Sequence, residues 1–266
     1  MTSHAHAPHA RLTVTVLGSG SSGNSIAIRI GDDTLLVDAG FSARETIRRL
    51  DASGIDPSGV RAIVLTHEHG DHVRGVRVLA KRLGVPVYAS PGTRRAAGLD
   101  SIVSDPRDLQ RGATVRISQF SVTAFATSHD AAEPVGLRVE SPEGIACGIL
   151  TDTGVVTPEA LETLRGCDVL ALESNHDLEM LQGGPYPYFL KQRILSSRGH
   201  LSNDDAGVLL GQLAHERLRE VVALHLSSTN NLPRLATTAL GRALRRLDHP
   251  AMVCCAAQQE PGAPIG

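Results

Sequence analysis

Short apolar runs, broken by turns rich in glycine and serine, open the chain. L-T-V-T-V-L at 12–17 alternates with a two-residue period and predicts a strand. G-S-G-S-S-G-N follows, then a second strand, S-I-A-I-R-I, and G-D-D turns the chain into T-L-L-V-D-A-G at 34–40. This meander predicts one edge of a sheet. Ser42, with Glu45 three residues on, reads as the start of a helix running to about Leu50. A-I-V-L-T at 62–66, a helical pattern from Val73 to Leu83 and V-P-V-Y-A at 85–89 together predict a βαβ unit. Four more strands are expected between 113 and 150: A-T-V-R-I, S-V-T-A-F-A-T, V-G-L-R-V and I-A-C-G-I-L. Thr157 and Pro158 begin a helix to about Leu164, and V-L-A-L-E at 169–173 is a further strand. Helices are expected at 187–198, 202–218 and 232–246, with late strands at V-V-A-L-H-L and A-M-V-C-C-A. No low-complexity linker divides the chain. The pattern predicts one mixed α/β domain over 11–259, undivided or made of two similar halves, with a disordered tail at 1–10 and a frayed one at 260–266.

Composition narrows this picture. Aromatic residues make up 3% of the 266 and there is no Trp, so Val, Leu, Ile and Ala must fill the core. Such residues favour packed sheets covered by helices. The formal net charge of −2 argues neither for nor against a polyanionic partner. Cys147, Cys167, Cys254 and Cys255 form no C-x-x-C pair, which suits a reduced, cytoplasmic setting. The opening M-T-S-H-A-H-A-P-H-A lacks the apolar centre of a signal peptide, and no run reaches the roughly 18 apolar residues of a membrane helix.

Polar clusters recur where strands end, and the densest is L-T-H-E-H-G-D-H at 65–72. Imidazole and carboxylate ligands suit Zn, Mn or Fe. His67 and His69 could serve one ion, and Asp71 and His72 a second. His129, Asp152 and His225, each just past an apolar run, could complete a paired site, which needs ions about 3.5–4 Å apart. The spacing is not the H-E-x-x-H of helical zinc proteases. Glu68 is expected to be solvent-facing or structural. G-S-G-S-S-G-N could cradle an anion on backbone N–H groups, although a tight strand connection explains it equally well. Asp38 could hydrogen-bond a metal-bound imidazole or simply close a turn. His176 and Asp177 could bind substrate, ligate in place of His129 or brace the loop at Glu173. Tyr186 and Tyr188 could stack on bases while Lys191 and Arg193, with Arg198 beyond, meet phosphates; a helix start packed on the core with a solvated basic face is the alternative. Arg44, Arg48 and Arg49 form a second basic group that a charged helix face explains without nucleic acid. Asn203, Asn230 and Asn231 could bind phosphate or stiffen loops, and Ser227 lies in the late L-H-L-S-S.

H-x-H-x-D-H resembles the signature of the metallo-β-lactamase fold. S-H-D-A-A-E-P at 128–134, T-D-T-G at 151–154, E-S-N-H-D-x-E-M-L at 173–181, Y-P-Y-F-L-K-Q-R-I-L-S at 186–196 and G-H-L-S-N at 199–203 are similar to the YycJ/WalJ group of that fold, as are the opening L-G-S-G-S-S-G-N and the late L-H-L-S-S-T-N-N. The resemblance covers roughly residues 12–256. It implies an αββα four-layer sandwich, two mixed β-sheets with helices on their outer faces, and two divalent metal ions. It also implies a phosphodiesterase that acts on DNA, a 5′-to-3′ exonuclease in DNA repair. By the same resemblance, His67, His69 and His129 hold one ion, Asp71, His72 and His225 the other, and Asp152 bridges them. Glu173 and His200 match a pair that assists proton transfer near the leaving group in relatives that process transfer RNA. Asp71 would orient the nucleophile. No Cys replaces the bridging Asp, unlike the β-lactamase branch, and no large inserted clamp domain is present, which leaves the grip on substrate open. Two other readings stand beside this one: an RNA-processing nuclease or a small-molecule hydrolase (cyclic phosphodiesterase, thioesterase or lactonase), and an inactive nucleic-acid-binding protein. The expected assembly is a monomer or homodimer; the sequence names no protein partner.

Overall fold

The computed structural model describes residues 11–266; the N-terminal tail expected at 1–10 lies outside them. Short, largely buried runs build a six-stranded sheet from β1 (Leu12–Gly18), β2 (Ser25–Ile30), β3 (Asp33–Val37), β4 (Val60–Val64), β5 (Val87–Ala89) and β6 (Pro106–Asp108), in that spatial order. The first three strands pair antiparallel and the rest run parallel to β3. A second sheet holds β7 (Thr114–Ile117), β8 (Phe120–Ala126), β9 (Val135–Glu140), β10 (Ala146–Leu150), β11 (Val169–Glu173), β12 (Glu220–Leu224) and β13 (Met252–Cys255), again in order from one edge to the other. It repeats the scheme: β7 to β10 are an antiparallel meander, and β10 to β13 are parallel. The two halves anticipated from the sequence are these two sheets.

Leu12, Val14, Ile28, Leu35 and Val64 of the first sheet meet Phe120, Val122, Leu137, Ile149 and Val222 of the second in one buried layer. The opposite face of the first sheet is covered by helices Ala43–Ala52 and Val76–Leu83, through Leu50, Val76 and Leu79. Helices Pro158–Leu164, Asn203–Leu213 and Pro233–Arg245 cover the second, through Leu164, Leu209, Leu210 and Leu240. The result is the four-layer αββα sandwich that the resemblance implied. Among the described residues no helix is long and apolar enough to cross a membrane. The four cysteines are free; burial pushes the Cys147 thiol well above its ordinary value, which makes it unreactive.

Several boundaries differ from the sequence reading. The helix expected at 73–83 is two pieces, Gly70–Val73 and Val76–Leu83, broken at Gly75, where an added Cβ would stand 1.9 Å from Phe41 O. The helix expected at 187–198 stops at Ile194, and that expected at 202–218 stops at Leu213. Helices Pro91–Ala96, Leu99–Ile102 and Leu178–Gly183 and strand β6 are too short to declare a period.

The segment 260–266, expected to fray, is instead tied down. Gly262 N donates to Val16 O at 2.9 Å, and Val14 and Ile265 exchange backbone hydrogen bonds at 2.8 and 2.9 Å. The cause is β1, an edge strand whose free backbone groups take up the tail. Arg49 fastens the same corner. It was read as part of a charged helix face, yet its side chain is only 5% exposed. Nη1 donates to Leu17 O and Gln258 O, Nη2 donates to Gln259 O, and the guanidinium lies 4.0 Å above the Phe41 ring. Arg49→Met should leave three carbonyls without this donor and cost about 2–4 kcal/mol of stability. Urea unfolding of the variant beside the parent chain measures this; an unchanged midpoint would show that the corner is held without Arg49.

Candidate metal centre

The parallel strands of both sheets point the same ends toward one seam, and the polar clusters sit on those ends. β3 delivers Asp38, β4 delivers 66–72, β8 delivers 127–130, β10 delivers 151–154, β11 delivers 173–177 and β12 delivers His225. Three of these residues leave their strands with left-handed backbones: Asp38 at φ 63°, Asp152 at 50° and His225 at 52°. Such a conformation costs a non-glycine residue about 1–3 kcal/mol and persists only where its surroundings impose it. Here it turns each side chain inward just after its strand ends. Gly40 permits the approach of the 66–72 loop, since a Cβ there would lie 1.7 Å from Asp71 O.

His67, His69 and His129 make the first group. His69 Nδ1 lies 3.1 Å from His67 Nε2 and 3.3 Å from His129 Nε2. Two nitrogens each about 2.0–2.1 Å from one tetrahedral ion stand roughly 3.4 Å apart, so the spacing is that of ligands around a shared centre. The other ring nitrogens are occupied: His67 Nδ1 is 3.0 Å from Thr66 Oγ1, and His129 Nδ1 donates to Gly199 O at 3.1 Å. Burial holds both imidazoles below their ordinary pKa, that of His67 well below, so they are neutral ligands.

Asp71, His72 and His225 make the second group, with Asp152 beside it. Asp71 Oδ2 is 3.5 Å from both His72 Nε2 and His225 Nε2. Asp152 Oδ2 is 3.3 Å from His72 Nε2, while its Oδ1 is 3.4 Å from His225 Nδ1 and 3.9 Å from His129 Nε2. Asp152 therefore stands between the groups. His225 is buried, yet neither ring nitrogen makes a hydrogen bond. An orphaned polar ring among carboxylates is what a cation would satisfy. Burial works to raise the carboxyls of Asp71 and Asp152, but His225 and His72 hold both below their ordinary range. Conversely, burial opposes charge on His72 and His225, yet the carboxylates raise His72 to about 10 and His225 well above its usual value. The buried His, Asp and Glu clusters are positioned to coordinate one or two divalent ions.

Asp38 Oδ2 lies 2.8 Å from His72 Nδ1, and Oδ1 accepts from Thr66 N at 2.8 Å. This fixes the His72 ring with Nε2 toward the group. At the other side, Glu173 Oε1 is 2.7 Å from His200 Nδ1, and Glu173 Oε2 accepts from Thr153 N at 2.8 Å and Leu201 N at 3.3 Å. Burial would depress His200, but the Glu173 carboxylate prevails and raises it. The His200 side chain remains 23% exposed, while Glu173 is sealed.

A cleft of about 370 Å³ opens over these groups, lined also by Ser21, Tyr186, Leu190, Arg193, Arg198 and Ser227. Other predicted site residues lie elsewhere. His176 is buried outside every group, so it does not ligate in place of His129, and neither of its ring nitrogens has a partner. Asp177 caps helix Leu178–Gly183 by accepting from Met180 N. Asn203 joins Ser174 and Asn231 in a buried amide network, a bracing role. Tyr188 is 77% exposed and off the cleft, and Lys191 Nζ is bound to Gln182 O. Glu68 is structural: it accepts from Ala132 N.

The sequence reading missed Ser19, Asn24, Thr66 and Asp130. Asn24 Nδ2 donates to Asp71 Oδ2 at 3.1 Å, and Ser19 Oγ accepts from His225 N at 2.8 Å. The glycine-rich loop is thus a brace for the second group. Its N–H groups at Gly20 and Ser22 are taken by Asn24 Oδ1 and Gln258 Oε1, which leaves no anion cradle there. The signal available was Asn24 itself, a capable donor closing a turn beside D-A-G in the sheet.

Comparisons agree with this geometry. The family of the β-lactamase superfamily domain matches residues 33–225. The chain is 34% identical over 236 residues to exodeoxyribonuclease YycJ of Bacillus anthracis, covering 88% of this chain and 89% of that protein. It is 35% identical over 239 residues to exodeoxyribonuclease WalJ of Streptococcus pneumoniae, covering 88% of each. The metallo-β-lactamase fold protein YhfI from Bacillus subtilis matches with a TM-score of 0.73 at 17% identity, over 94% of this chain and 98% of that one, a likeness of fold alone.

Two outcomes follow for metal binding. Asp38→Ala should weaken Zn²⁺ or Mn²⁺ binding about 10–100-fold in chelator competition; an unchanged affinity would mean that Asp38 only closes its turn. Free metal at 100 times its Kd should stabilise the fold by about 2.7 kcal/mol. Thermal unfolding with and without EDTA measures this, and coincident curves would exclude a folded-state metal site.

Proposed function

This chain belongs to the β-lactamase superfamily and, within it, to the family of YycJ and WalJ; on that footing we propose that it is a binuclear metal-dependent phosphodiesterase that hydrolyses DNA from the 5′ end. One observation carries the reading: His200, held at Nδ1 by the sealed Glu173, lines the same cleft as His69 and His129 of the first ligand group and Asp71 and His225 of the second. A phosphodiester is anionic and repels a nucleophile, and two bound divalent ions would neutralise that charge and lower the pKa of a coordinated water toward neutrality. In this reading His67, His69 and His129 would hold one ion and Asp71, His72 and His225 the other, with the Asp152 carboxylate between the two groups. Asp71 is the most open of the carboxylates, at 21% side-chain exposure against 3% for Asp152, and it orients the nucleophile. His200 keeps a proton at Nε2, backed at Nδ1 by Glu173, and delivers it to the departing oxygen. Tyr186 offers an aromatic surface on the cleft wall to a base. A role in DNA repair, a cytoplasmic setting and a monomeric or homodimeric state belong to the same proposal. The free thiols support the setting.

The test uses Mn²⁺- or Zn²⁺-loaded protein with 5′- and 3′-labelled DNA and RNA. Stepwise release of 5′ nucleotides from DNA is expected, and Asp71→Ala should abolish it. His200→Gln should lower kcat about 10²–10⁴-fold with the metal content unchanged. If His200→Gln loses metal instead, His200 is a ligand and not the acid. Cleavage confined to RNA would move the substrate assignment, and tight DNA binding without metal-dependent turnover would make the chain a binding protein.

A further inference from the structure

Two arginines line the cleft, Arg193 and Arg198, and each is tied to one of two adjacent residues, Asp130 and His129. Arg193 Nε donates to Asp130 Oδ2 at 3.0 Å, and its Nη2 donates to the same oxygen. Arg198 Nε donates to His129 O at 3.3 Å. His129 presents Nε2 to the first ligand group, and Asp130 Oδ1 lies 3.3 Å from that nitrogen and 3.8 Å from His69 Nε2. Asp130 Oδ2 is thus taken by Arg193, while its Oδ1 faces the two imidazoles. Among the described residues, Nη1 of Arg193 and both Nη atoms of Arg198 have no hydrogen-bond partner. The Arg193 side chain is 64% exposed, so the fold does not rest on it. Leu190 and Ile194 line the same cleft.

A guanidinium held at one edge and free at the other is preorganised for phosphate, because its fork matches two phosphate oxygens. We propose that Arg193 and Arg198 form a second anion site at the mouth of the cleft, which grips a substrate phosphate one linkage from the one being cut and is kept in register with the ligand groups by His129 and Asp130. This rests on the nuclease reading above and deepens it. Arg193 and Arg198 touch substrate, and Asp130 is a positioning residue. The site supplies the grip that a chain without an inserted clamp domain otherwise lacks. Lys191 is outside it, turned to Gln182 O.

The phosphate is either a terminal 5′-monoester or the next internal diester, and one experiment separates them. Mn²⁺-loaded parent, Arg193→Gln, Arg198→Gln, the double variant and Asp130→Asn are each assayed on 5′-phosphorylated and 5′-hydroxyl duplexes across a salt series. Each Gln variant should raise KM about tenfold, with a smaller change in kcat, and flatten the slope of log kcat/KM against log salt by about one. Asp130→Asn should raise KM while metal content, measured directly, stays constant. Losses confined to the 5′-phosphorylated duplex support the monoester as ligand; equal losses on both duplexes support the diester. A double variant with parental KM and salt slope overturns the site while the nuclease reading stands. A parent protein that degrades neither duplex overturns that reading and the site with it.

Discussion

The structure depends on keeping acids and imidazoles together away from water. Asp38, Asp152 and Glu173 are nearly inaccessible, and so are His67, His72, His129 and His225. An uncompensated buried charge costs several kcal/mol, so each group must be met on more than one side. Asp38 has Thr66 behind it and His72 before it. Glu173 has the N–H groups of Thr153 and Leu201 behind it and His200 before it. The apolar layer between the sheets makes these contacts strong by excluding water, and it equally makes an unfilled ligand set unfavourable. The left-handed corners at Asp38, Asp152 and His225 are the geometric counterpart: backbone strain accepted so that ligands from separate strands meet.

Neither half of the sandwich makes this centre alone. The first contributes His67, His69, Asp71 and His72, and the second contributes His129, Asp152, Glu173, His200 and His225. The repeat of a meander followed by parallel strands therefore has a functional sense. It brings two sets of strand ends to one seam, where each sheet completes the other's site.

Much of this was legible in the chain. Short apolar runs bounded by turn residues marked most strands, and H-x-H-x-D-H marked the metal loop, because run length and ligand spacing are both local. The remaining features depend on distant contacts. Arg49 looked like a solvated helix charge because the carbonyls that hold it, at Leu17 and at residues 258–259, are distant in sequence. The tail looked frayed because nothing near it reveals that β1 is an open edge. Ser19 and Asn24 looked like turn chemistry, and they are, but their side chains also reach His225 and Asp71. Within E-S-N-H-D, composition could not tell that Glu173 joins Asp152, His200 and His225 while His176 is buried apart from them; that follows from how the loop leaves β11. The helix expected at 187–198 was drawn too long because the turn after Ile194 is polar and helix-compatible. Its early end frees Gly199 O to hold His129.

The Ser19–His225 hydrogen bond joins residues 206 positions apart. Loop closure of that length comes late, after the local hairpins and helices exist. A nascent chain would present His67 and His69, close together in sequence, long before Asp152 and His225 have been synthesised. Neither ligand group is complete at that stage, because His129 completes the first and His225 the second. The chain cannot become a finished hydrolase until its second sheet has docked.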